Sequence, residues 1–178
     1  DIQAQGLKAT VQLTTTGDRV DVRASVSADA ATVSGISAEA GSLSLTGTVP
    51  YPDLKTRRGD GAANLQAVMA ARRLRSGATD ARDLSARLSF DGQMRGWIET
   101  FTIEGQAGAD VRTARLDSSG ATATGARLML ERNPVSLSRN ADGLAWRVDG
   151  PLQMTATRAL GAGLEGEGVS LTSSAVTL

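Results

Sequence analysis

The fold class is decided by the stretch LKATVQLTTTGDRVDVRASVSA at residues 7–28, in which apolar and polar side chains alternate on both sides of Gly17-Asp18. Alternation with period two is typical of β-strands that bury one face, and a Gly-Asp pair between two such runs indicates a hairpin turn. The same alternation returns in four later runs, at 43–49, 84–90, 144–148 and 152–156. The sequence therefore predicts an all-β, antiparallel meander.

Turn signals divide the rest of the chain into short segments. Further strands are predicted at 31–40, 93–104, 111–117, 121–131 and 168–178. Asp-Gly pairs favour tight turns with positive φ, and they predict reversals at 60–61, 91–92, 142–143 and 149–150. No fixed-length repeat with a residue signature is recognised, so the named repeat classes are not indicated.

The one ambiguous segment is AANLQAVMAARRLR at 62–75. Its residues favour a helix intrinsically, but its apolar positions also alternate with period two, so helix and strand both remain open. We therefore expect at most one short helix, near 62–75. The stretch 50–61, with Pro50, Pro52 and a charged run, is predicted to be a loop-like excursion from a single β-rich unit spanning 1–178.

Composition excludes most catalytic chemistry. The chain has no Cys and no His, which removes thiol nucleophiles, imidazole acid–base catalysis and the usual zinc sites. Nineteen basic residues balance nineteen acidic ones, so no net charge attracts nucleic acid. No run approaches the roughly 18 apolar residues that a membrane-spanning helix needs. We predict a protein that is not an enzyme and that uses no cofactor and no metal.

The termini indicate a segment of a longer protein. The chain starts at Asp1 without a signal-peptide pattern and ends within an alternating apolar run. We therefore expect any signal peptide or membrane anchor to lie outside these residues.

Two patterns in the sequence resemble functional sites but have simpler explanations. Glu165 and Glu167 lie two apart, so a strand would place them on one face as a carboxylate pair. No aromatic platform for a sugar accompanies them, which favours solvated surface positions. The glycine-rich stretch 161–168 resembles a phosphate-binding pattern, but a strand-like sequence follows it where a helix would be required. A turn or bulge is the better interpretation.

Five arginines form the main local concentration of positive charge. They could contact an anionic headgroup or a protein partner, although a solvated face is the ordinary explanation. No aromatic side chains are interleaved with them, which argues against stacking on single-stranded nucleic acid. These residues are Arg57, Arg58, Arg72, Arg73 and Arg75.

The stretches 35–47, 74–92 and 125–130 share a texture of small residues followed by alternating polar residues and leucines, as in GISAEAGSLSLTG. This texture resembles the β-rich periplasmic regions of bacterial AsmA-like, TamB-like and YdbH-like envelope proteins. The resemblance implies a curled, taco-like sheet with an apolar inner face. It also implies a periplasmic location and lipid or other envelope proteins as partners. The implied roles are phospholipid transfer between inner and outer membranes, or outer-membrane assembly.

An apolar sheet face must be covered by a second sheet, by helices, by a partner or by lipid. Little helix is available, so the sheet either closes as a solenoid or sandwich or stays open as a groove. A groove implies lipid, whereas a structural or adhesive protein with a dry core is the alternative. The residues predicted to line the groove are Leu7, Val11, Leu13, Val20, Val22, Val26, Leu43, Leu45, Leu84, Leu88, Phe90, Leu144, Trp146 and Val148.

Overall fold

A computed structural model describes residues 2–53, 55, 58–96, 99–140 and 143–177. The predicted all-β fold is confirmed, because these residues form strands joined by turns and short connections, with no helix among them. The strands are β1 (Ile2–Gln5), β2 (Lys8–Thr16), β3 (Arg19–Val33), β4 (Ile36–Pro50), β5 (Gly61–Ser76), β6 (Thr79–Gly96), β7 (Phe101–Ser118), β8 (Ala121–Asn140), β9 (Gly143–Gly161) and β10 (Leu164–Thr177).

All ten strands belong to one open antiparallel sheet. From β3 to β10, each strand pairs with the next one in the chain. Both β1 and β2 pair with β3, so together they form one edge of the sheet, interrupted at Gly6. Within the described residues β10 forms the opposite edge and does not pair with the first. This architecture is consistent with a curled groove, and no described strand forms the second sheet of a sandwich.

The ambiguous segment 62–75 lies within strand β5, so the helical alternative is wrong. Its alternating residues pair with β4 on one side and with β6 on the other; Ala67, for example, lies opposite both Leu45 and Leu88. Hydrogen-bond ladders on both sides override a helix preference that amounts to a few tenths of a kcal/mol per residue.

The described chain contains a hairpin repeat that the sequence analysis missed. Two-residue turns at 34–35, 77–78, 119–120 and 162–163 all lie at one end of the sheet. Counted from their first residues, they follow one another after 43, 42 and 43 residues. Three have positive φ at both turn residues, the type I′ geometry that matches strand twist. The sequence signal is faint: mainly Ala38, Ala81 and Ala123, and Leu45, Leu88 and Leu130.

A second feature repeats with the same spacing inside the strands. Ala40, Asp83, Gly125 and Gly168 have φ values of 48–60°, in the left-handed region. A residue in this conformation interrupts the pleat, so the alternation of side chains between faces changes phase there. Accordingly Ala81 and Leu84, three positions apart, are both buried.

Two of the predicted Asp-Gly turns are wrong. Asp91-Gly92 lies inside β6 and the 149–150 pair lies inside β9. Gly92 allows β6 and β7 to approach each other closely, since a Cβ at this position would lie 2.2 Å from the carbonyl oxygen of Glu104. Strand boundaries were also misplaced: the predicted strand 31–40 contains the Ser34-Gly35 turn, and 93–104 contains the end of β6 and the start of β7.

The molecule is thin, with a core of small side chains. Its accessible surface is 11685 Å², whereas a compact protein of 18.3 kDa exposes about 8,100 Å². Extensive contacts join only strands that are neighbours in the sheet. The buried apolar residues are Val20, Ala63, Ala71, Ala81, Leu84, Ala86 and Ala126. Among the described residues there is no helix long and apolar enough to span a membrane.

Candidate functional site

One face of the sheet is a continuous apolar surface built from cross-strand rows. Directly opposite residues on neighbouring strands have Cβ atoms roughly 5 Å apart, so each row is a line of contacting side chains. The first row consists of Val11, Ala24, Leu45, Ala67, Leu88, Ala109, Leu130 and Leu152. The next row consists of Ala9, Val26, Leu43, Met69, Ala86, Val111, Leu128, Met154 and Leu171. We call this surface the apolar face.

The opposite face is polar over the same strands. The row between the two above contains Ser25, Ser44, Val68, Arg87, Asp110, Met129 and Gln153. Most side chains of this row are charged, hydroxyl or amide groups, and its apolar members are Val68, which is 50% exposed, and Met129. The two faces differ in chemistry along most of the sheet.

No described strand covers the apolar face. Leu43 and Leu88 are each 44% exposed, while the neighbouring Ala86 is only 2% exposed. The small residues are thus covered by the larger side chains around them, and the tips of the larger ones reach the surface. Large exposed apolar surfaces on proteins are typically sites of interaction with another molecule.

The predicted lining residues occupy different parts of this surface. Leu43, Leu45, Leu88 and Phe90 lie on the inner strands β4 and β6, and Val22 and Val26 lie on β3 beside the first edge. Val20 and Leu84 are buried, so little of either side chain reaches the solvent. Leu7, Val11 and Leu13 lie at the first edge of the sheet, and Leu144, Trp146 and Val148 lie on β9.

Several residues of the apolar face were not predicted to line it. They come mainly from the segment with the open helix interpretation and from the strands β7 to β10. The sequence signal that could have identified them is period-two alternation, which is weak where alanine occupies the apolar positions. These residues are Ala67, Met69, Ala86, Ala109, Val111, Leu128, Leu130, Leu152, Met154 and Leu171.

The structure does not bring the predicted arginine cluster together. Arg58 precedes β5, whereas Arg72 lies eleven positions after the first residue of that strand, about 36 Å along it. Arg72 pairs with Glu39 at 3.2 Å, and Arg73 and Arg75 both pair with Asp80. Arg57 lies outside the described residues.

Hydrogen bonding between Arg73 and Asp80 dominates the electrostatics of this pair. The guanidinium of Arg73 donates Nε–H bonds to both carboxylate oxygens, at 2.9 and 3.0 Å. These bonds lower the pKa of Asp80 and raise the pKa of Arg73. The carboxylate therefore stays ionised and holds the arginine against the sheet.

Two further carboxylates are held by arginines. Asp110 accepts bonds from Arg112 at 2.7 Å and from Arg127 at 2.8 Å, which keeps its pKa well below the usual range. Asp117 accepts bonds from Arg115 and from the hydroxyl of Thr122, which lower its pKa to about 2. Acceptor-only carboxylates with low pKa are poor proton carriers at neutral pH.

In the structure, the carboxylate pair fits solvated surface positions and the glycine-rich stretch 161–168 fits a turn. Glu165 forms an ion pair with Arg158, and Glu167 is the cross-strand partner of the same arginine. The glycine-rich stretch contains the Ala162-Gly163 turn and leads into β10, not into a helix. Over the described ranges no group of three or more acidic residues is arranged to hold a metal ion.

Comparison with protein-family models, with curated proteins and with solved structures found no match to this chain.

Proposed function

We propose that this chain is a segment of a bacterial envelope protein whose apolar face binds phospholipid acyl chains and serves their transfer between the inner and outer membranes. The observation that supports the proposal is the continuous apolar surface on a single sheet, with leucine tips exposed and no described strand covering it. The textural resemblance to AsmA-like, TamB-like and YdbH-like proteins supports the periplasmic location. A role in outer-membrane assembly would use the same surface.

The dimensions of the apolar face suit hydrocarbon chains. On β7 it runs from Phe101 to Val111, ten steps of about 3.3 Å, or roughly 33 Å. An acyl chain spans about half of the roughly 30 Å hydrocarbon core of a bilayer, so the surface accommodates one along the strands. Each methylene removed from water contributes about 0.8 kcal/mol. Exposed valines and leucines in adjacent rows provide the contact area.

The alternative is a structural or adhesive protein with a dry core. In that case a second copy or another protein covers the apolar face, and no lipid binds there. The same exposed leucines would then contact protein atoms, so the identity of the covering molecule separates the two functions.

Photo-crosslinking tests the proposal directly. A photoreactive amino acid replaces Leu88 on the apolar face or, as the matched control, Val68 on the polar face, where the exposed fractions are 44% and 50%. The protein is incubated with vesicles of phosphatidylethanolamine and phosphatidylglycerol and irradiated, and adducts are identified by mass spectrometry. We expect phospholipid adducts at position 88 and none at 68. Protein–protein adducts alone at position 88 would support the dry-core alternative.

A further inference from the structure

Three arginines lie directly opposite one another on neighbouring strands, close to the two-residue turns. Arg73 on β5 is the cross-strand partner of Arg82 on β6, and Arg82 is also the partner of Arg115 on β7. Cross-strand partners share a face, and neighbouring strands lie about 4.8 Å apart, so the three side chains form a row roughly 10 Å long. We call these three residues the arginine row.

Two aspartates on the same face hold the outer members of the row. Arg73 donates Nε–H bonds to Asp80 at 2.9 and 3.0 Å, and its Nη2 also contacts this carboxylate. Arg115 donates to Asp117 from Nε at 2.8 Å and from Nη2 at 2.9 Å. Asp80 and Asp117 are cross-strand partners two positions nearer the turns, and the row between, which contains the buried Ala81, points to the other face. These bonds leave the Nη1 groups of both arginines for another acceptor.

The middle member of the row, Arg82, is exposed and forms no hydrogen bond or ion pair with any residue that the structure describes. Its charge is nevertheless close to the aspartates. The pKa of Asp117 is lowered by hydrogen bonds from Arg115 and Thr122 and, through space, by the charge of Arg82. The guanidinium of Arg82 therefore lies among the same groups as the outer two, with all of its donors free.

The order of the charges concentrates positive charge on this face. Like charges directly opposite one another destabilise a sheet, and alternation of Arg and Asp along each row would avoid that cost. Here arginine adjoins arginine instead. The row and Arg75, which pairs with Asp80 at 3.5 Å, supply four positive charges against the two negative charges of Asp80 and Asp117. Glu39, the other cross-strand partner of Arg73, is balanced by Arg72 at 3.2 Å. The surplus of two matches a phosphate monoester, which carries about 1.5–2 negative charges at neutral pH.

We infer that the arginine row binds a phosphate monoester. Arg82 donates to two phosphate oxygens, because the planar guanidinium matches their geometry, and Arg73 and Arg115 donate from either side. The aspartates hold the outer guanidiniums in place before the ligand arrives, which reduces the entropic cost of binding. The ligand is a soluble phosphorylated compound or the headgroup of phosphatidate, which both carry this group. None of these residues belongs to the rows of the apolar face, so the phosphate site is independent of the proposed function.

Isothermal titration calorimetry with glycerol 3-phosphate at low ionic strength tests the site. R82Q should weaken binding about fivefold, the effect of losing an exposed ion pair. R23Q is the matched control, because Arg23 is also exposed, has no partner among the described residues and lies opposite Gln12 and Thr46. It should leave the affinity unchanged. Dimethyl phosphate, a diester with less charge, should bind the wild type more weakly than glycerol 3-phosphate. Thermal unfolding checks that both variants fold.

Co-sedimentation with phosphatidylcholine vesicles, with and without phosphatidate, identifies the source of the phosphate. A loss specific to R82Q with phosphatidate vesicles would assign the lipid headgroup, and a loss specific to R82Q with glycerol 3-phosphate alone would assign a soluble ligand. Absence of wild-type binding to both probes would overturn the inference. Equal effects of R82Q and R23Q, or equal affinities for glycerol 3-phosphate and dimethyl phosphate, would overturn it as well.

Discussion

Replacing Leu88 by Asn should weaken lipid binding, whereas replacing Val68 by Asn should not. The two residues occupy adjacent rows on opposite faces of neighbouring strands. Leu88 is 44% exposed and Val68 is 50% exposed, so the two substitutions perturb the folded chain to a similar extent. Only Leu88 lies on the face where a bound acyl chain would cover it.

The expected size follows from the exposed fraction. Complete burial of a Leu side chain contributes roughly 1.5–3 kcal/mol, so covering the exposed 44% of Leu88 contributes roughly 0.7–1.3 kcal/mol to lipid binding. Since about 1.4 kcal/mol corresponds to tenfold in affinity, L88N should bind an acyl chain roughly three- to ninefold more weakly. The part of each side chain that is already covered contributes to folding, and both variants should lose roughly 1–1.5 kcal/mol of stability.

Fluorescence titration with cis-parinarate measures the affinity, and urea unfolding of the same samples measures the stability. The matched loss of stability separates a local effect on binding from a general loss of structure. Equal affinities of L88N and V68N would refute the assignment of the apolar face as the lipid surface, and so would a weakening confined to V68N.

Three further predictions concern the fold. G92A should destabilise the chain by about 1–3 kcal/mol in urea unfolding, because the new Cβ would lie 2.2 Å from a backbone oxygen, whereas G41A, whose Cβ meets nothing closer than 3.6 Å, should be tolerated. A40G should stabilise the chain by about 0.5–1 kcal/mol in the same assay, because Ala40 has a φ of 48°, while A38G should destabilise it; destabilisation by A40G would contradict the strain at this position. The folded-state pKa of Asp117 lies near 2, below its ordinary value of 3.8, so its contribution to stability is present above about pH 4 and is lost as the pH falls toward 2. D117N should remove that part of the acid sensitivity in pH-dependent unfolding, and an unchanged profile would show that the ion pair with Arg115 does not contribute.

The sequence determined the fold class because alternation with period two is a local property. Strands such as β2 and β3 carry their apolar residues at every second position, and the Gly17-Asp18 turn joins them in the predicted way. The lack of His and Cys, also visible in the sequence alone, is the basis for predicting that the chain is not an enzyme, and that prediction stays open.

Pairing between segments that are distant in the sequence determined the features of the fold that local patterns did not predict. The segment 62–75 prefers a helix by itself, but ladders on both of its sides place it in the sheet. Asp91-Gly92 has the composition of a turn, yet the backbone of Gly105 approaches it so closely that only glycine fits. The pairing of β7 with β8 shifts register between residues 107 and 109, and that of β8 with β9 shifts between 130 and 135. No local sequence pattern indicates either shift.

For the candidate site too, the sequence determined one part and the tertiary structure another. Alternation identified Leu43, Leu45 and Leu88 as members of one apolar surface, because side-chain direction in a strand follows from position alone. Whether that surface is covered depends on what packs against it, and only the arrangement of all ten strands shows that within the described residues it is open. A cleft of about 450 Å³ at one end of the sheet likewise arises from residues of four strands and of the connection between β4 and β5, which meet only in the folded chain.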